Sequence, residues 1–172
     1  NAGFGVYGEF INTNIDKELD MIDINIKTVH TLTKLFLADF KKKNKGYILN
    51  VASSAAFMPG PLMASYYASK AYVCNLTQAI NEELRQDGSN VYVGVLCPGP
   101  VDTEFNKVAK GTFVIKGADS KYVSKYAIDK MFKNKMVIIP TLKMKLCIFG
   151  IRFIPRRLHL KITHNIQKKK AK

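Results

Sequence analysis

Between Asp16 and about Lys43 the apolar residues Leu19, Ile22, Ile26, Val29, Phe36 and Phe40 recur at helical spacing, on one stripe. The pattern predicts one long amphipathic helix with that stripe packed inward. A basic turn and Gly46 supply its stop. The period then changes: Tyr47-Ile48-Leu49-Asn50-Val51-Ala52 is short and mostly apolar and predicts a buried strand, with Ser53 at its carboxyl end. A loop rich in Pro and Gly, Phe57 to Met63, leads to a second helix over about Ser65 to Asp87, closed by Gly88. Val91 to Cys97 predicts a second buried strand, broken by Pro98-Gly99-Pro100. A polar loop, a helix near Ser120 to Lys133 and a strand at Met136 to Ile139 follow.

Apolar strands alternating with helices predict an α/β fold whose parallel sheet is covered on both faces. In such open sheets ligands bind beyond the carboxyl ends of the strands. Ser53 and the segment Pro98 to Thr103 lie at such ends.

At 172 residues, 47% hydrophobic and 23% charged, the chain suits one globular domain, and wholesale disorder is excluded. A run of about 18 apolar residues without a charge does not occur, so the chain is expected to be soluble or peripheral. Cys74, Cys97 and Cys147 lie apart in apolar surroundings and read as buried thiols of a reducing compartment. His30, His159 and His164 have no ligand spacing, and no metal site is expected.

The net charge of +14 is unevenly placed. Residues 1–130 hold 15 Lys/Arg and 13 Asp/Glu, whereas residues 131–172 hold 12 Lys/Arg and no acid. A near-neutral body therefore carries a basic tail, in which Leu142 to Ile154 is apolar but punctuated by Lys143, Lys145 and Arg152. Such a tail could cover its own domain's pocket with charges toward water, or lie on an anionic membrane. Nucleic acid is disfavoured because no aromatic residues interleave the charges.

Candidate chemistry sits on the second helix, where Tyr66 and Lys70 are neighbours one turn apart. A free phenol with a pKa of about 10 is a poor proton carrier at neutral pH, and an adjacent ammonium lowers that value. The pair alone is weak evidence. Ser53, thirteen residues before Tyr66, could polarise a carbonyl that Tyr66 protonates. Asn25, inside the first helix, is a polar group that needs partners.

Asn1-Ala2-Gly3, Asn25, Asn50-Val51-Ala52-Ser53, Tyr66-Tyr67-Ala68-Ser69-Lys70 and Pro98-Gly99-Pro100-Val101-Asp102-Thr103 resemble, in order and spacing, the short-chain dehydrogenase/reductase superfamily over about residues 1–130. The resemblance implies a partial Rossmann-type, doubly wound, three-layer α/β/α fold. It divides the chain into residues 1–140, carrying the catalytic motif, and a basic apolar helical extension at 141–172. The activity implied is hydride transfer between NADP or NAD, with NADP the first choice, and a carbonyl or alcohol. Tyr66 would be the proton donor, with Lys70 lowering its pKa and binding the nicotinamide ribose. Ser53 would orient the carbonyl, and Asn25 would hold a water linking Lys70 to solvent. Asn1, Ala2 and Gly3 would lie beside the cofactor's adenosine side, and Pro98, Gly99, Val101 and Thr103 would fix the nicotinamide.

Ser54 and Tyr67 are rivals for Ser53 and Tyr66, but only Tyr66 has a lysine four residues later. The family's glycine-rich diphosphate loop, and the residue that separates NAD from NADP, are absent from this sequence. The chain is therefore expected to be the C-terminal part of an enzyme and to bind cofactor poorly alone. The competing expectations are an inactive truncated fragment and a membrane-surface module. The ending, with Ile138-Ile139-Pro140 and Phe153-Ile154-Pro155-Arg156-Arg157, is similar to a bacterial-type subgroup, the branch containing 3-oxoacyl and hydroxysteroid reductases, and an apolar lid there would suit an acyl or lipid-like carbonyl. The family resemblance also implies a homodimer or homotetramer, while the cysteines suit a cytoplasmic enzyme and the basic tail a peripheral membrane contact through 142–172.

Overall fold

A computed structural model describes residues 3–103 and 117–170. Its sheet has three parallel strands in the order β1 (Gly46–Val51), β2 (Val91–Leu96), β3 (Val137–Ile138). Gly46 pairs with Val91 and Val51 with Leu96, while Val95 pairs with Val137. Every residue of β2 is buried, as its apolar sequence requires of a strand covered on both faces.

Before β1 the chain forms one continuous helical rod in three parts: α1 (Ile15–Ile22), a π-helical turn (Asp23–Thr28) and α2 (Val29–Lys43). Asn14 caps α1 by accepting from the Lys17 amide at 3.0 Å, and Asn44 ends α2 in the left-handed conformation that an asparagine tolerates. The long helix α3 (Ala64–Gln86) connects β1 to β2, and α4 (Ser120–Met131) connects β2 to β3. Two further helices follow, α5 (Leu142–Ile151) and α6 (Arg156–Lys170).

The core lies on both sides of β2. Val91 and Val93 pack with Leu84 of α3 and with Leu37 and Phe40 of α2, whereas Leu96 packs with Val123 and Ala127 of α4 and with Ile138. Between β1, α2 and α3 the core is polar. Thr33 Oγ1 donates to Asn50 Oδ1 at 3.2 Å, Asn50 Nδ2 donates to Thr77 Oγ1 at 3.0 Å, and Thr77 Oγ1 donates to the Val73 carbonyl at 2.7 Å. Each buried group is thereby matched, which avoids the cost of an orphaned one.

Three expectations need correction. The predicted stripe of the first helix is only half turned inward: Ile26, Val29 and Phe40 are half-buried, whereas Leu19, Ile22 and Phe36 face solvent and Glu18, Met21, Asn25 and Thr33 are buried. The inward face meets polar groups of α3 and β1 as well as the apolar core, so hydrogen-bond partners and apolar contacts together set its orientation. Cys74 and Cys97 are buried with their sulfurs 3.9 Å apart, but Cys147, on α5, is exposed. The tail covers the domain only partly through apolar residues: Met144 and Ile148 of α5 pack inward, but on α6 the buried residues are the polar His159, Thr163 and Gln167.

Candidate active site

A cleft of about 650 Å³ opens at the carboxyl ends of β1 and β2, where an open α/β sheet is expected to bind ligands. Its wall includes Ser53, Tyr66 and Lys70 from the β1 side and Pro98 to Val101 with Thr103 from the β2 side. The four proposed catalytic residues come from three elements.

Ser53 stands where β1 ends and a short 3-10 turn (Ser54–Phe57) begins, in extended backbone conformation. Its Oγ accepts the Ala55 amide at 3.1 Å, a local cap that fixes the side chain. That side chain also shares a hydrogen bond with Tyr66. The rival Ser54 lies in the cleft wall too, and its amide donates to the Pro98 carbonyl at 2.7 Å, tying the two strand ends together.

Tyr66 and Lys70 lie one turn apart on α3, both buried. Burial pushes the Tyr66 phenol up to about 12, and the hydrogen bond with Ser53 pulls the other way. Lys70 Nζ sits 5.8 Å from the Tyr66 ring centroid, and burial draws the ammonium itself down to about 8. Desolvation acts against the charged form of each group. Lys70 Nζ donates to the Val51 carbonyl at 3.2 Å, which aims it across the end of β1.

Asn25 occupies the π-helical turn, and such turns concentrate at functional sites. Its side-chain amide is fully engaged: Nδ2 donates to the Phe4 carbonyl at 2.9 Å and to Ser69 Oγ at 3.1 Å, and Oδ1 accepts the Phe4 amide at 3.3 Å. The side chain therefore braces Phe4 against α3. Asn25→Ala should cost about 2–3 kcal/mol of stability by stranding these groups, checked as the shift in urea midpoint at constant slope.

Gly3 lies beside this brace. A Cβ at Gly3 would stand 2.7 Å from Asn25 Oδ1 and 3.4 Å from Lys70 Nζ, so only glycine keeps the floor open there. Asn1 and Ala2 lie outside the described residues. The segment Pro98 to Thr103 is pinned from its other side: the Ala118 amide donates to the Pro100 carbonyl at 2.9 Å and the Asp102 amide to the Ala118 carbonyl at 3.0 Å. Gly99 packs under Met144 of α5, and Val101 and Thr103 both reach the cleft.

One wall residue escaped the sequence reading. Gln167, buried on α6, donates from Nε2 to the Tyr67 hydroxyl, and its backbone carbonyl accepts from Tyr7 Oη at 3.2 Å. Burial raises the Tyr67 phenol, with the hydrogen bond to Gln167 opposing. Tyr67 is thus cleft wall, held by a residue a hundred positions later. No motif or local spacing could have signalled that contact.

Residues 1–112 match the short chain dehydrogenase family model, and the chain belongs to that family. It is 36% identical over 104 residues to human 17-beta-hydroxysteroid dehydrogenase type 3, covering 60% of this chain and 33% of that protein. Against the very-long-chain 3-oxoacyl-CoA reductase of Anas platyrhynchos it is 37% identical over 101 residues, 58% of this chain and 32% of the relative. The matched region spans about a third of the length of these curated relatives. Among solved structures, a short-chain dehydrogenase from Sphingobium yanoikuyae in complex with NADPH superposes with a TM-score of 0.77 at 25% identity, over 88% of this chain and 60% of its own. A 7beta-hydroxysteroid dehydrogenase superposes with a TM-score of 0.81 at 20% identity, over 95% and 64% respectively, a likeness of fold.

Proposed function

We propose that the protein of which this chain forms the catalytic portion transfers a hydride between NADP or NAD and a carbonyl or alcohol carbon. The observation that carries this reading is the placement of Tyr66, bonded to Ser53 and one turn from Lys70, on the wall of a cleft at the strand ends. The open floor at Gly3, which a Cβ would fill, suits a cofactor lying against Lys70. Gly3, Lys70, Pro98, Gly99, Val101 and Thr103 would hold that nucleotide, which supplies the hydride acceptor or donor.

The chain's own residues then divide the work. Ser53 orients the substrate oxygen by hydrogen bonding, and Tyr66 delivers or removes the proton at that oxygen. Lys70 fixes the nucleotide ribose, and its positive charge favours release of the Tyr66 proton. Apolar walls from Leu49, Leu96, Val123 and Ile128 exclude water and suit an acyl or steroid-like carbonyl, in keeping with what the two curated relatives are named for. The outward stripe of Leu19, Leu32, Leu35 and Phe36 supports a homodimer or homotetramer, and the unpaired thiols Cys74 and Cys97 support a cytoplasmic location.

The complete polypeptide, supplied with NADPH or NADH and either a 3-oxoacyl thioester or a ketosteroid, is expected to oxidise the cofactor with saturation in substrate. Failure to bind either nucleotide in equilibrium titration would overturn the reading.

A further inference from the structure

The last two helices carry their apolar residues on the wrong side for a water-facing surface. On α6 the inward stripe is the polar one, His159, Thr163 and Gln167, at four-residue steps. The adjacent stripe, Leu158, Ile162 and Ile166, has the same spacing and is 39–50% exposed. On α5, Met144 packs over Gly99 and Ile148 is buried, fixing which side faces the domain. The opposite side carries Leu142, Leu146 and Phe149, and Phe153 continues the same stripe just beyond the helix, all 58–73% exposed. A helix apolar on both sides is ordinarily covered on both.

Charge narrows what can cover this face. Lys143, Lys145 and Arg152 flank the first stripe, and Arg157, Lys161 and Lys168 lie exposed beside the second. The sequence from residue 131 onward contains no Asp or Glu. A second copy of the same face would bring like charges together over an apolar contact, which is unfavourable. Among the described residues no helix is long and apolar enough to cross a membrane. Apolar stripes edged by cations, on helices too short to span, match a surface that lies in the headgroup layer of an anionic bilayer.

We propose that α5 and α6 form a docking surface for an anionic lipid bilayer. Leu142, Leu146, Phe149 and Phe153 enter the acyl boundary, with Leu158, Ile162 and Ile166 beside them. The flanking Lys and Arg residues meet lipid phosphates and carboxylates. The cleft wall held by Gln167 belongs to the same helix, so the bilayer would lie next to the cleft.

The chain contains no tryptophan, so a single introduced indole reports one position. Phosphatidylcholine vesicles with about 30 mol% phosphatidylserine should blue-shift the emission of Phe153→Trp and sediment with the protein. Leu35→Trp, exposed on α2, should stay unshifted. Raising NaCl from about 0.1 M to about 0.5 M should release most of the protein. The triple variant Leu146→Ser, Phe149→Ser, Phe153→Ser should weaken binding by roughly tenfold or more, because the lost anchors are apolar. An unchanged far-UV spectrum would show that these outward positions leave the fold intact. The proposal fails if Phe153→Trp does not shift, if the triple variant binds vesicles as the parent does, or if the parent binds neutral vesicles equally well. It also fails if the triple substitution converts a dimer to a monomer without touching vesicle binding, or if only an acidic protein covers the face. Each readout is independent of oxidoreductase activity.

Discussion

In the complete enzyme Tyr66→Phe is expected to lower kcat by at least about a thousandfold while leaving nucleotide affinity within roughly twofold. The ring remains, so packing against Met21, Ala55 and Met63 is preserved, and only the hydroxyl that bonds Ser53 is removed. A residue that merely filled space would tolerate this change. Tyr67→Phe supplies the contrast: it removes the acceptor for Gln167 but no hydroxyl one turn from a lysine, so its effect should fall mainly on KM. Steady-state kinetics of both variants, with nucleotide titration, decide the matter. Tyr66→Phe retaining parental turnover would remove Tyr66 from the chemistry.

Lys70→Met should abolish turnover and yet make the chain more stable at pH 7. The folded state holds the ammonium down to about 8 against an ordinary value of 10.5, because its environment disfavours charge. Below the folded pKa that penalty is fully present and amounts to about 3 kcal/mol. Losing the hydrogen bond to the Val51 carbonyl returns about 1 kcal/mol, leaving a net gain of roughly 2 kcal/mol for methionine.

The sign follows from proton counting. Between pH 8 and 10.5 the unfolded chain holds a proton on Lys70 that the folded chain has released, so stability rises with pH across that window. Tyr66 opposes this at the upper end: its phenol, raised from 10.0 to about 12, gives stability that is present below 10 and lost as pH climbs through 12. Unfolding free energies from urea titrations should therefore climb from pH 7 to pH 10, by about 2 kcal/mol in the parent and far less in Lys70→Met. Parallel profiles for the two proteins would contradict the assignment.

Much of this arrangement could be read from the residues in order. The i,i+4 spacing of Tyr66 and Lys70 dictates neighbours on α3, and a serine after an apolar strand dictates a strand-end hydroxyl. The parallel sheet followed from Val91 to Cys97 being apolar on both alternations. What escaped depended on contacts remote in sequence. The face of the first helix that turns inward is decided in part by Asn25 meeting Phe4 and Ser69 and by Thr33 meeting Asn50, which hydropathy counts as outward residues. The π-helical turn has no residue signature, and Gln167 has no motif. The direction of the Tyr66 shift depended on burial, which spacing alone does not convey.

The bond between Gln167 and Tyr67 also sets an order of events during synthesis. Ser53, Tyr66, Lys70 and the Pro98 to Thr103 segment can all be in place on a ribosome-bound chain whose cleft still lacks a wall. That wall closes only after residue 167 has emerged. A nascent or prematurely terminated chain would thus display its reactive side chains in an open groove lined with apolar surface. Such a species is a natural target for chaperones and proteases.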